Sequence, residues 1–217
     1  MAGPFEAAEF EKLVPADKKL QPDWVKSLFA RGTREVYRGA ELEKIGMPVG
    51  GICSGQVYLG GDGRLWNWDV FNRHIGTGDA HYAHPPKATS PLEQGFAVRT
   101  VCDGKTEVRA LDPSGFADIT FCGEYPIAYV NYRDDAAPVT VALEAFSPFI
   151  PLNADDSALP ATVMQFTVKN TGKSAVEVEL AGWLENAVCG DSRQQAPGLR
   201  RNRAIRRPEV AMILASA

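Results

Sequence analysis

The sequence predicts an all-β protein: an antiparallel β-sandwich preceded by a short N-terminal helical arm. Three observations carry that prediction. From about residue 50 onward apolar residues recur at every second position, Gly-, Asn- and Asp-rich clusters break these runs at short intervals, and helical spacing shows only near the N-terminus. Strict alternation places one face of a strand against a core and the other in water. Many short strands with turns at regular intervals describe a sandwich or a barrel.

The elements follow in order. Residues 1–40 read as the arm, and Pro22-Asp23-Trp24 opens a short helix through about Arg31 with Asp23 as its cap. Trp24, Leu28 and Phe29 then share one helical face, suited to docking or to covering a sheet. Residues 41–217 read as the sandwich. Gln56–Leu59 and Arg64–Trp68 flank Gly60-Gly61-Asp62-Gly63, a strong hairpin signal. Phe96, Val98 and Thr100 alternate with Ala97, Arg99 and Val101, and Tyr125, Ile127 and Tyr129 continue the period. Val139, Val141 and Leu143 lie opposite Thr140 and Glu144.

The clearest pair of strands surrounds Asn170-Thr171-Gly172-Lys173. Met164, Phe166 and Val168 precede it on one face, and Val176, Val178 and Leu180 follow it against Glu177 and Glu179. Residues 75–95 carry Gly, Pro, Ser and Thr without a period and read as a long loop, of the kind that is often functional. The closing VAMILASA reads as an apolar strand with no turn after it, which leads us to expect a sandwich cut short at its C-terminus.

Composition narrows the function. Of the 217 residues, 45% are hydrophobic and 23% charged, ordinary for a globular chain, and 217 residues suffice for a sizeable core. A net charge of -4 argues against nucleic acid as a partner. No eighteen-residue apolar run predicts a transmembrane segment, and no secretory signal or Asn-x-Ser/Thr acceptor is evident. These features suggest a cytoplasmic protein and leave peripheral membrane contact open. Cys53, Cys102, Cys122 and Cys189 are widely spaced, without a zinc pattern, and are expected as reduced buried thiols; a Cys102–Cys122 disulfide would require export.

Ile45–His74 is the most informative run. It joins many glycines to Trp66, Trp68, Asp69, Asn72, Arg73 and His74. Glycine weakens a strand interior, so this many glycines indicate tight turns or close backbone approach. The run is not a phosphate loop: Ile52 and Cys53 stand where Lys and Ser or Thr are required, and Ile52 breaks the G-x-G-x-x-G pattern. Ser54 lacks the glycine two positions earlier that a nucleophile elbow needs. Trp66 and Trp68, two residues apart, share one strand face, as a sugar platform or as core.

Other candidates are weaker. His81 and His84, with Asp79 nearby, sit in a Pro-rich loop whose spacing carries little metal-site information. We expect no metal and no cofactor. Asp155-Asp156 reads as a solvated turn or helix cap, while Glu144 and Glu185 stand at strand positions and could face a cleft. Arg200, Arg201, Arg203, Arg206 and Arg207 form the one strong charge run, read as a solvated turn or an interdomain contact, with anion binding as the alternative.

Three stretches in order carry a family resemblance: GMPVGGICSGQVYLGGDGRLWNWDVFNRH, LEAFSPFIPLNADDSALPATVMQFTVKNTG, and AGWLENAVCG followed by RRNR. Over about residues 40–215 the chain resembles the N-terminal domain of glycoside hydrolase family 116, which includes the non-lysosomal glucosylceramidases and bacterial β-glucosidases. The resemblance implies a β-sandwich packed on a C-terminal (α/α)6 catalytic domain, which is absent here. It also implies a β-glucoside or glucosylceramide substrate and hydrolysis with retention. The nucleophile and acid would lie in the helical barrel, so no residue of this chain would be catalytic. The rim candidates are Trp66, Trp68, Asn72, Arg73 and His74. The alternatives are a stand-alone carbohydrate-binding module and a protein-binding sandwich.

Overall fold

A computed structural model describes residues 20–30, 32–69, 92–189 and 199–217. The chain divides into two units at Arg34/Glu35. The first contains helix α1 (Pro22–Leu28). Pro22 takes the first helical position, where its missing N–H is no loss. Asp23 is not the cap, as expected from sequence, but lies in the first turn behind Gln21. There its charge still favours the helix N-terminus.

The second unit is the sandwich, and it begins ahead of the expected boundary at 40. Strand β1 (Tyr37–Arg38) already pairs with β7 (Asp118–Glu124). A single 3-10 turn (Gly39–Glu43) then leads to β2 (Gly46–Pro48), β3 (Gln56–Gly60) and β4 (Leu65–Asp69), which form one small antiparallel sheet. β5 (Gln94–Cys102), β6 (Lys105–Ala110) and β11 (Val176–Leu184) form a second, in the order β11-β5-β6. The principal sheet runs β1-β7-β8-β9-β10, with β8 at Ile127–Arg133, β9 at Val139–Phe146 and β10 at Val163–Asn170. A four-residue helix α2 (Ala154–Ser157) lies between β9 and β10. β12 (Arg201–Arg207) and β13 (Val210–Ser216) form a separate hairpin.

The core lies where the principal sheet meets the two smaller ones. Val139, Val141, Leu143 and Ala145 of β9 meet Val130 and Tyr132 of β8, Phe121 of β7, Val57 and Leu59 of β3, and Val98 of β5. Each such large apolar side chain contributes about 1.5–3 kcal/mol by leaving water. Phe96 of β5 and Phe166 of β10 meet across the layers with ring centroids 4.7 Å apart. The two smaller sheets are tied into one layer by Gln94, which is almost fully buried. Its carbonyl accepts the Leu65 N–H at 3.3 Å and its amide donates to the Leu65 carbonyl at 3.2 Å, so one side chain pairs with β4 as a strand backbone would.

Several expectations change. Tyr125 lies in the β7–β8 turn, and the buried face of β8 is Ala128, Val130 and Tyr132, one register away from Ile127 and Tyr129. Asn170–Lys173 does not close a hairpin: β10 pairs with β9 and β11 pairs with β5, so the turn carries the chain from one layer to the other. Asn170 holds it, accepting from Gly172 N–H at 2.8 Å and donating to the Ser174 carbonyl at 2.7 Å. Arg201, Arg203, Arg206 and Arg207 lie on a strand, not in a turn, and the apolar terminal segment is its partner β13.

The β3–β4 turn makes a tight inter-layer contact. Gly63 has φ +82°, and a Cβ there would stand 1.7 Å from the Tyr132 hydroxyl. That hydroxyl donates to the Asp62 carbonyl at 3.1 Å. Burial, with the Asp62 carboxylate second, raises the Tyr132 pKa above the ordinary phenol value. Gly63→Ala is therefore expected to cost about 1–3 kcal/mol from the backbone alone, with displacement of Tyr132 in addition. Gly104, also at positive φ but facing open space, is the control. Urea denaturation should show Gly63→Ala clearly less stable than Gly104→Ala; equal losses would contradict the contact.

A charge cluster ties β6 to the β8–β9 turn. Arg109 meets Glu107 and Asp134, each at 3.3 Å, and Lys105 also pairs with Glu107. The Glu107 pKa is lowered, chiefly by Lys105 and then by Arg109. The Asp134 pKa is lowered chiefly by the Ala136 N–H, with Arg109 adding to it. Depressed carboxylates give their stabilisation in full above the unfolded pKa of about 4 and lose it as pH falls through the lower folded values. The urea midpoint should stay flat from about pH 7 to about pH 5 and fall below about pH 4, less steeply in Arg109→Met. An equally steep fall in that variant would remove Arg109 from the explanation.

Candidate functional site

The glycine-rich loop Val49–Gly55 is built for close packing. Val49 is buried and donates its N–H to the Val57 carbonyl at 2.8 Å, while Thr162 donates its hydroxyl to the Val49 carbonyl. Ile52 N–H reaches the Ser157 carbonyl at 2.9 Å. A Cβ at Gly51 would stand 2.2 Å from the Leu159 carbonyl oxygen, so that backbone passes only because the residue is glycine. Ser54 donates its hydroxyl to the Gly51 carbonyl at 2.8 Å, a turn-forming bond with no base in it. The glycines therefore serve backbone against backbone, and neither phosphate nor serine chemistry follows.

The segment packed on this loop is fixed from within. Asn153 caps α2 by accepting the Asp156 N–H at 3.1 Å and donates to the Asp156 carboxylate at 2.7 Å. Ser157, almost fully buried, accepts the Ile150 N–H at 2.9 Å and donates toward the Asn153 carbonyl at 2.6 Å. Asp155 and Asp156 thus occupy the first turn of a capped helix.

One end of the sandwich gathers at this loop. There β3, β5 and β10 begin and β9 and β11 finish, with Gln94 opposite Leu184 and Phe146 opposite Val163 in the registers. A cavity of about 540 Å³ opens among them, lined by Trp68, Phe96, Met164, Trp183 and Leu184 beside Gly50 and Gly51. Its polar neighbours are engaged: the Gln94 amide with Leu65, Thr162 with Val49 and Ser54 with Gly51. Of its lining, Trp183 is 47% and Leu184 56% exposed, and Ile52 of the loop and Phe149, Ile150, Leu152 and Leu159 of the segment between β9 and β10 are exposed as well. Tyr125 and Phe149 meet edge to face at 5.2 Å on the same end.

Trp66 and Trp68 do not share a face. A β-bulge in the β3–β4 pairing sets Tyr58 opposite Trp66 but Gln56 opposite Asp69, adding one residue to β4. Trp68 turns with Leu65 into the apolar cavity and donates its indole N–H to the Leu65 carbonyl at 3.1 Å. Trp66 lines a different cleft of about 1060 Å³ at the other end of the strand, with Leu42, Ile45, Phe116, Asp62, Asp118 and Glu43 among its walls. Its N–H donates to Asp62 Oδ1 at 3.0 Å, and the Arg64 guanidinium lies 4.8 Å from its ring centre. Sequence reasoning reached Trp66 but missed Asp62 and Asp118; the Gly60-Gly61 pair beside Asp62 was the available signal.

Asn72, Arg73 and His74, with Asp79, His81 and His84, lie outside the described residues. Glu144 sits on the outward face of β9 between Tyr129 and Gln165, whereas Glu185 follows β11 and accepts the Glu93 N–H at 3.3 Å. They belong to different sheets. Among the described residues no group of three His, Cys, Asp or Glu is arranged to hold a metal. The four cysteines are free, but they are not all buried: Cys53 and Cys189 are exposed, and Cys102 is half-buried beside Asp103.

The family model described as beta-glucosidase 2, glycosyl-hydrolase family 116 N-term, matches residues 46–216. The chain belongs to glycosyl-hydrolase family 116, as its N-terminal domain. In this family-116 domain the match opens at Gly46, the first residue of β2, and spans every later strand of the sandwich. A hydrolase N-terminal domain implies a catalytic domain elsewhere. Among the described residues no helix is long and apolar enough to cross a membrane.

Proposed function

We propose that this domain is the non-catalytic half of a retaining β-glucosidase or glucosylceramidase, bracing an (α/α)6 catalytic domain and lending loops to its rim. The observation that carries the reading is the apolar end of the sandwich. Exposed contiguous apolar surface on a soluble domain marks a contact with a partner. Here Trp183 and Leu184 line a cavity whose side-chain polar groups are engaged, and Leu152 and Leu159 are exposed on the α2 segment, so the surface offers a partner shape and apolar area.

The carboxylates support the same reading. Retention needs two carboxyl groups about 5–5.5 Å apart, one of them delivering a proton. In the larger cleft Asp62 is bonded to the Trp66 indole and Asp118 is paired with Arg38 at 2.9 Å, both in structural roles. Exposed thiols at Cys53 and Cys189 suit a reducing, cytoplasmic setting.

Two measurements test this. The purified chain should release no p-nitrophenol from an aryl β-glucoside above the buffer rate, and steady turnover by this chain would refute the reading. A separately expressed family-116 helical catalytic domain should bind the chain, and the Leu152→Asp, Trp183→Asp double variant should weaken that complex at least about tenfold, since charges at an apolar contact core are costly. Unchanged affinity would exclude this end as the docking face.

A further inference from the structure

We propose that the cleft formed by the 3-10 turn, the Gly60–Asp62 corner and residues 113–119 binds a neutral glycan. This goes beyond the bracing role and does not depend on it, since the cleft lies at the end of β4 away from the apolar cavity. Its volume of about 1060 Å³ reaches the upper range of small-ligand sites, which run to about 1,000 Å³.

The walls are set by glycine. A Cβ on Gly60 would stand 2.3 Å from the Trp66 ring, and one on Gly61 would stand 2.7 Å from Leu42 Cα. The indole and the 3-10 turn can close on the corner only because both residues lack side chains. The Gly61 N–H also donates to the Ile45 carbonyl at 2.9 Å, fixing the far wall.

The lining matches the two surfaces of a pyranose. Trp66, Leu42 and Ile45 supply apolar area for its C–H faces. Asp62 and Asp118 supply acceptors for its hydroxyls, and each is held by a donor on one oxygen. Asp62 Oδ1 takes the Trp66 indole N–H and the Arg64 backbone N–H, both at 3.0 Å. Asp118 Oδ1 takes the Arg38 guanidinium at 2.9 Å. An ionised carboxylate with one oxygen engaged keeps acceptor capacity for ligand hydroxyls, and its held orientation lowers the ordering cost of binding. Charge selects the class: Glu43, Asp62 and Asp118 are balanced by Lys44 in the lining and by Arg38 and Arg64 beside it, so the cleft carries no excess charge to hold an ionic ligand.

The test is a calorimetric titration of the full chain with cellotetraose and with laminaritetraose. At least one should bind with a dissociation constant on the order of 10⁻³ M or tighter. Trp66→Ala should lose at least about tenfold, and Asp118→Asn, at an exposed ion pair whose loss leaves the fold intact, about threefold or more. Trp183→Ala, at the apolar end, should leave the affinity unchanged. No heat from either sugar up to about ten times that concentration overturns the proposal, as does binding that survives both Trp66→Ala and Asp118→Asn. Tighter binding of tetralysine than of either glucan, abolished by Asp118→Asn, would make the cleft a cation site instead. Loss of sugar binding with intact docking of the catalytic domain, or the converse, separates this site from the bracing role.

Discussion

Tyr132 stands in the middle of the principal sheet with its hydroxyl occupying the space that a side chain on Gly63 would fill. The contact is steric before it is polar. The turn can cross Tyr132 only with a glycine at positive φ, and the buried hydroxyl must then find an acceptor, which it does in the Asp62 carbonyl. Three other features follow from that placement. Asp62 is fixed where its side chain takes the Trp66 indole, Gly61 is fixed where it donates to Ile45, and the turn of the small sheet is held against β8 of the large one. A turn displaced by a carbon–carbon bond length would open the Trp66 cleft and separate the layers together.

The two ends of the sandwich differ because the strands meeting there differ in what they leave unsatisfied. At the Gly51 end, the loop and the α2 segment consume their own polar groups through Ser54, Asn153, Ser157 and Thr162. Trp183, Leu184, Leu152 and Leu159 are exposed there, with the carboxylates of Glu93, Asp155 and Asp156 also at the surface. At the Trp66 cleft, Asp62 and Asp118 each have one oxygen engaged. Burying the apolar part of the first end against a partner removes carbon from water, with the carboxylates left at its rim. Burying the second would strand charge. The proposed dry contact at one end and the proposed ligand at the other rest on that asymmetry.

Much of this was legible in the residues, and the failures have physical causes. The period of two revealed β9, whose one face is buried, and β10, whose apolar face is partly buried and whose other face is wet, and the Gly60–Gly63 hairpin followed from turn chemistry alone. β7 gave no such period because Ile119, Thr120, Phe121 and Cys122 are buried on both faces, and β6 is largely exposed with charges on it. β12 was hidden by its arginines, which a strand in a solvent-exposed hairpin tolerates. The shared face of Trp66 and Trp68 failed for a reason that spacing cannot reveal, since a bulge inserts one residue between them and reverses the second. The family resemblance was legible from ordered motifs, while the cleft depended on distant pieces, Gly39–Ile45 and Pro113–Ile119, that only the fold brings to Trp66.

The acidic residues show why a scaffold reading and a glycan reading are compatible while a catalytic one is strained. A hydrolytic pair must be free to exchange protons and must face one atom from both sides. Asp62 has taken on the anchoring of an indole and a turn, and Asp118 the neutralisation of Arg38. Carboxylates so engaged remain good acceptors, because an ionised group with one oxygen occupied still accepts on the other. The bonds made by Asp62 and Asp118 hold each carboxylate in one orientation, which suits the proposed recognition of hydroxyls.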